Sequence, residues 1–280
     1  MDPVPEELGW TSYRTGTFDS WRGSIHSRKQ DYVAEEVPVV LVYNTIPHVV
    51  MLTTPLNLED FGLGFSLTEG IVYHPSEVLS IKTVQRAKGV EVRMQIPEKR
   101  FDNLHGKGKN MTGRTGCGLC GATTLEQAIR PTRKVGEGKV LDATLLSAAF
   151  EAMRQQQSLN LLTGAVHAAA WLDAERGSIS MVREDVGRHN ALDKLIGALA
   201  RTGCDFTAGW LLVTSRASFE MVQKAASVGI TLLAAISAPT ALAIRLAEES
   251  GLTLVGFTRN ENHTIYTHPF RLQHYQESAT

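Results

Sequence analysis

Two of the chain's three cysteines fall in the ten-residue run Thr112-Gly113-Arg114-Thr115-Gly116-Cys117-Gly118-Leu119-Cys120-Gly121. The four glycines of this run let the backbone take positive φ angles and approach a partner closely. No bulky neighbour shields either thiol, and Arg114, Lys107 and Lys109 lie just upstream. Nearby cations favour thiolate over thiol, and the thiolate is the nucleophile and the metal ligand. The run therefore reads as a site of sulfur chemistry. Three kinds are open: disulfide exchange, metal binding and transfer of a sulfur atom.

Spacing weighs on each. A zinc ribbon needs a second Cys-x-x-Cys or a histidine pair, and Cys204 stands alone. A thioredoxin-type motif follows directly on a strand of a βαβ unit. Here the polar, basic and glycine-rich stretch Pro97–Gly116 precedes the pair and reads as a mobile loop. Thr123 and Glu126 have capping-box spacing, so a helix is expected to open just after Cys120, its N-terminus adding to the thiolate bias. His167 invites a zinc-deaminase reading, but that chemistry needs His-x-Glu upstream of the cysteine pair. Ala169 occupies the glutamate position and the cysteines come first. His167 is left either as a packed histidine or as a residue lining a site.

The elements that position these groups change character along the chain. Residues 1–30 show little apolar periodicity and read as an N-terminal arm. Val37–Thr53 predicts a hairpin turning at Asn44-Thr45-Ile46-Pro47, and 78–84 with 90–96 a second one turning at Lys88-Gly89. Between them a helix is expected from Asn57 to about Ile71, with Glu59 and Asp60 in its first turn. Residues 31–110 thus form a β-rich portion, and 111–140 hold the thiol loop, a short helix and a linker over 131–140. From 141 to 280 helices and strands alternate: helix 144–157, apolar segment 164–172, strand 178–183, helix 189–200, strand 209–214, helix 218–228, strand 231–236, helix 239–249 and strand 252–258. That rhythm predicts a helix-covered sheet with parallel pairs.

Three strand-to-helix turns invite an anion: Glu184–Asn190, with Arg188 and His189; Thr214–Ser218, with Arg216; and Ser237–Thr240. Turns at the same end of successive strands line the crevice where α/β sheets bind phosphorylated ligands. Phe257-Thr258-Arg259-Asn260-Glu261-Asn262 leaves the last of these strands and suits a nucleotide base or phosphate. Neither a Walker lysine loop nor Gly-x-Gly-x-x-Gly is present, which disfavours ATP hydrolysis and standard dinucleotide binding.

Composition narrows the class. The formal net charge is −1 and 43% of residues are hydrophobic. That disfavours a nucleic-acid or membrane-surface partner recognised by bulk charge. No apolar run approaches a membrane span, and Met-Asp-Pro-Val-Pro-Glu-Glu does not resemble a signal peptide. An odd cysteine count does not build a disulfide framework, so a reducing cytoplasm is expected.

Taken together, the ordered motifs resemble the formate dehydrogenase accessory sulfurtransferases, the FdhD family. The resemblance runs from about Asp31 to Thr267. It rests on Thr54-Pro55, Gly64-Phe65, Thr68-Glu69-Gly70, the Gly116–Gly121 run, Gly164–Ala169, Glu184–Lys194, Ser215–Met221 and Ser237–Thr240. It implies a cytidine-deaminase-like three-layer α/β fold with a smaller β-rich N-terminal portion, no metal site and a homodimer. It also implies a sulfurtransferase required for formate dehydrogenase. Cys117 would take persulfide sulfur from a cysteine desulfurase and pass it to the molybdenum bis-guanine-dinucleotide cofactor, with Cys120 assisting. The 257–262 stretch would bind that cofactor, for which GDP is a mimic. The alternative is a non-catalytic chaperone that binds and delivers the cofactor; a thiol-redox role is a third option. Family members often carry a second arginine where this chain has Asn262, and asparagine where it has Thr264. Losing a charge-assisted phosphate contact removes about 1.5–3 kcal/mol.

Overall fold

The computed structural model describes residues 9–105, 133–259 and 262–274. Its centre is a six-stranded sheet in the order β13-β12-β11-β10-β8-β9. The strands are β8 (His167–Asp173), β9 (Ser178–Asp185), β10 (Gly209–Val213), β11 (Leu232–Ala235), β12 (Thr253–Arg259) and β13 (Asn262–Thr267). β10, β11 and β12 are parallel, and β8 runs antiparallel to both β9 and β10. The C-terminal ends of β9 to β12 and the start of β8 therefore share one edge of the sheet.

Alternation along these strands sends side chains to two cores. Ala169, Trp171, Leu211, Val213, Leu233 and Leu254 face helices over 188–201, 219–227 and 241–250. Ala170, Leu172, Trp210, Leu212, Ala234 and Val255 face Leu146, Ala149, Phe150 and Met153 of the helix over 145–155. The result is a three-layer α/β/α arrangement, with the central strands β8, β10, β11 and most of β12 buried on both faces.

A second sheet, ordered β4-β3-β6-β5, comes from the N-terminal half. It contains the hairpins β3 (Val37–Tyr43) with β4 (Ile46–Thr53) and β5 (Ser80–Arg86) with β6 (Gly89–Gln95). Asn44 and Thr45 both have positive φ, the geometry of a tight two-residue hairpin turn. Helix α1 (Leu58–Thr68) fills the space between this sheet and the α/β layers, and every residue of it except Glu59 is buried. Asn57 takes the N-cap position with a left-handed backbone and makes no side-chain capping bond.

Three expectations change. Within the predicted arm, β1 (Tyr13–Arg22) and β2 (Ile25–Ala34) form a ten-pair antiparallel ladder. Its faces are largely exposed, so no apolar alternation marks it; Tyr13 meets Tyr32 and Trp21 meets His26 across the strands. Part of the predicted Pro97–Gly116 loop is α2 (Glu98–His105), whose Phe101 and Leu104 pack on the core while Arg100 bonds Glu77. Finally, 133–140 has no regular secondary structure but is not a free linker. Buried Arg271 donates to the carbonyls of Gly136 and Glu137, and Val135 N–H to that of Ser250.

Strand β7 (Leu141–Asp142) pairs with residues 272–273, and the remaining helices are α3 (Leu145–Gln155), α4 (Ser158–Thr163), α5 (Arg188–Arg201), α6 (Phe219–Ser227) and α7 (Ala241–Ser250). α1 lies directly on α5, and glycine sets the distance. A Cβ at Gly64 would stand 1.7 Å from the carbonyl oxygen of Asp193, and one at Gly197 1.9 Å from that of Asp60. Beside this contact Lys224 of α6 donates to Asp193, Glu69 and the Thr68 hydroxyl at 2.9–3.0 Å. Burial pushes the Asp193 carboxyl up to about 6, against the pull of Lys224 and Thr68.

Two outcomes follow from this junction. Gly64→Ala is expected to cost about 3 kcal/mol, since backbone and not a flexible side chain must move; urea unfolding measures it. For Asp193, a folded value above the ordinary 3.8 means stability present at low pH and lost as pH rises through about 6. Wild-type stability relative to Asp193→Asn should therefore fall between pH 4 and 6 by on the order of 3 kcal/mol. A flat difference across that window refutes the assignment.

Candidate functional site

The shared sheet edge carries the cleft. Its strand-side wall is His167, Thr214, Ile236, Thr258 and Arg259; α3, α4 and the junction between them supply Phe150, Arg154, Asn160 and Gln157 opposite. The cavity has a volume of about 660 Å³, large enough for a nucleotide-sized ligand. A second cavity of about 590 Å³ adjoins it, shares Ser147, Glu151, Thr258 and Arg259, and adds Asn262 and His263.

The edge is laced before any ligand arrives. Thr214 exchanges bonds with Ala168, its N–H donating to the carbonyl and its hydroxyl accepting from Ala168 N–H at 2.9 Å. Ala217 and Pro239 bridge the turns after β10 and β11. At the end of β12, Phe257 takes φ 54° while the register against β13 shifts. A non-glycine residue in that region at a strand bulge is a costly conformation held by its surroundings, of the kind that collects at binding sites. It leaves the Phe257 ring exposed, Thr258 buried and Arg259 at the cleft, where Arg259 Nε donates to the Ile236 carbonyl at 3.1 Å.

His167 sits at the start of β8, opposite Asp185 in register. Burial, reinforced by the Arg188 guanidinium, pushes its pKa below the ordinary histidine value. It therefore faces the cleft as a neutral imidazole at physiological pH. Arg154 is gripped by Glu151, which accepts from Nε at 2.9 Å and from Nη2 at 2.8 Å. Bonds from Arg154 and Gln155 hold the Glu151 carboxyl down to about 2.

In the turn Glu184–Asn190 the carboxylates are engaged within the fold, while Arg188 lies close enough to act on His167. Asp185 ends β9 as a hub, accepting from Thr54 N–H, Gly187 N–H, Asn190 Nδ2 and Lys194 Nζ at 2.6–3.0 Å. Lys194 also donates to the Thr54 carbonyl, and both ionised side chains are fully buried. Glu184 caps α4 from a distance, accepting from Leu159 and Asn160 N–H, and burial pushes its pKa up. The motif's charges thus serve mainly to lock β4, β9 and α5 together. Arg216 is exposed, with its carbonyl accepting from the Ser215 hydroxyl.

Of the residues the sequence nominates, Thr258, Arg259 and His167 meet in the cleft, and Asn262 lines the adjoining cavity. Cys117, Cys120, Asn260 and Glu261 lie outside the described residues. Sequence reasoning missed the α3–α4 wall. The spacing Ser147, Glu151, Arg154 places polar groups on one helical stripe opposite Leu146, Ala149 and Met153, a signal that was available.

The FdhD/NarQ family profile matches residues 34–273. The Sulfur carrier protein FdhD of Cupriavidus necator is 52% identical over 263 residues, 94% of this chain and 91% of the relative. The protein of the same name from Bordetella petrii is 52% identical over 245 residues, 88% of each chain. That of Xanthomonas axonopodis pv. citri is 50% identical over 251 residues, 90% and 89%. A crystal structure of a protein described as a formate dehydrogenase accessory protein, from Desulfotalea psychrophila, superposes with a TM-score of 0.74 at 21% identity. It covers 94% of this chain and 100% of its own, and supports the fold. Among the described residues no helix is long and apolar enough to cross a membrane.

The Asp185–Lys194 pair gives a direct test. Removing one partner strands a buried charge, so Asp185→Asn or Lys194→Met should each cost about 3–5 kcal/mol. The double variant should cost less than the sum of the singles; strict additivity in urea unfolding would show that the pair does not act as a unit.

Proposed function

The chain belongs to the FdhD/NarQ family, and from that premise we propose that it is a sulfur carrier that serves formate dehydrogenase. The observation carrying this reading is near-full-length similarity to proteins named sulfur carriers, in a chain with a glycine-flanked, cation-flanked Cys117-x-x-Cys120. Cys117 thiolate attacks the outer sulfur of a cysteine desulfurase persulfide. The donor's S–S bond breaks, the desulfurase leaves as thiolate, and Cys117 becomes the persulfide. Attack by Cys120 on the inner sulfur then releases sulfide for the molybdenum and closes a Cys117–Cys120 disulfide, which supplies the two electrons. A cellular thiol reductant resets the pair.

The acceptor is the molybdenum bis-guanine-dinucleotide cofactor, handled as cargo. The cleft supports this through Arg259, the buried Thr258 hydroxyl and a volume suited to a nucleotide arm. With the acceptor in place, neutral His167 can take a hydrogen bond without adding a charge that titrates near pH 7. The remainder of the proposal is a homodimer in the cytoplasm, with a cytidine-deaminase-like classification supported by the three α/β/α layers.

The test loads the full chain with a desulfurase and cysteine and measures thiol-labile sulfur by peptide mass. One added sulfur on Cys117, lost in Cys117→Ala together with formate dehydrogenase activation, is the expected result. A Cys117→Ala variant that still activates the dehydrogenase would instead establish the non-catalytic chaperone.

A further inference from the structure

Arg259 is not the cleft's only guanidinium. Arg154 stands in the opposite wall on α3, and the bidentate grip of Glu151 sets the direction of its planar fork. That grip occupies Nε and one hydrogen of Nη2, leaving the other N–H groups for a second acceptor. Arg259 commits only Nε to the Ile236 carbonyl among the described residues. Two guanidiniums therefore face one cavity from different layers of the fold.

The cavity wall also holds polar atoms with nothing to bond. Gln157 Oε1 and Thr258 Oγ1 have no hydrogen-bond partner among the described residues, and each residue is only 3% exposed. A buried polar atom left unsatisfied is unfavourable, and a ligand group that bonds to it removes that penalty. Both residues line the cavity that Arg154 and Arg259 face. At 262, moreover, the chain has a neutral asparagine beside Arg259.

We infer that Arg154 and Arg259 close on the diphosphate of a nucleoside diphosphate arm as a two-guanidinium clamp, while Gln157 hydrogen-bonds its nucleoside. This rests on the nucleotide reading above and assigns the second cation to the helical wall. Guanidinium forks match phosphate oxygens in pairs, so two forks from opposite walls fix the diphosphate in one orientation. Gln157 lies a turn further along the helical wall from Arg154, past the end of α3, and meets the ligand away from the phosphates.

Calorimetric titration of the full chain with GDP, inorganic pyrophosphate and guanosine tests the clamp. Arg154→Gln should weaken GDP and pyrophosphate about tenfold or more and leave guanosine unchanged; Arg259→Gln should do the same. Gln157→Leu should weaken GDP and guanosine but not pyrophosphate, which also shows that the variant folds. Arg154 is largely exposed, so its replacement does not threaten the fold. Wild-type GDP affinity in Arg154→Gln, alongside a weakened Arg259→Gln, overturns the clamp and spares the nucleotide site. Absence of GDP binding by the wild-type chain overturns both.

Discussion

The structure turns on one buried ion pair, Asp185 with Lys194, 2.6 Å apart and fully removed from solvent. Such a pair is stabilising only if the remaining lone pairs and protons are also bonded. Here they are, and the partners come from different parts of the chain: Thr54 from the end of β4, and Gly187 and Asn190 from the start of α5. Asn190 adds a bond to the Leu52 carbonyl. The pair therefore joins the N-terminal sheet to the edge of the six-stranded sheet. It also fixes the point where β9 becomes α5, and with it Arg188, which adds to burial in lowering the His167 pKa.

The glycine contact between α1 and α5 depends on the same registration. With Gly64 seated against the Asp193 carbonyl, the helices sit too close for a side chain between them. That proximity lets Lys224 reach Asp193 and Glu69 together. Buried charges at this density give little net stability, but they penalise any other packing heavily. The glycine contacts and the Lys224 bonds are both satisfied in the observed register of α1 on α5.

Much of this was legible in the sequence, for reasons specific to each element. The alternation of β and α signals beyond residue 141 survives because each strand and helix buries a face. The prediction at Asn44-Thr45 holds because a two-residue turn needs positive φ. The β1–β2 ladder was invisible, since both its faces meet solvent and no apolar period results. Short α4 was missed because its cap is Glu184, some twenty-five residues away in sequence, a partner that local pattern cannot reveal. In the Glu184–Asn190 turn the charges were legible but their partners were not. A charged strand-to-helix turn looks alike whether its charges face a ligand or one another, and only the fold shows that Asp185 and Lys194 are spent internally.

The cleft's charge balance would suit the proposed anionic ligand even in a chain of net charge −1. Binding responds to the local field, which in a concave, partly desolvated site is set by a few oriented groups and not by the sum over the surface. The bond to Glu151 raises the Arg154 pKa further, and the Arg154 guanidinium holds the Glu151 carboxyl down to about 2. Burial and Arg188 keep His167 uncharged at physiological pH. The Glu151–Arg154 pair and His167 therefore keep one charge state throughout the physiological range. Thiolate chemistry, by contrast, is pH-dependent by nature. On the function proposed above, transfer rate would follow thiol ionisation while the charges of His167 and of the Glu151–Arg154 pair stay constant.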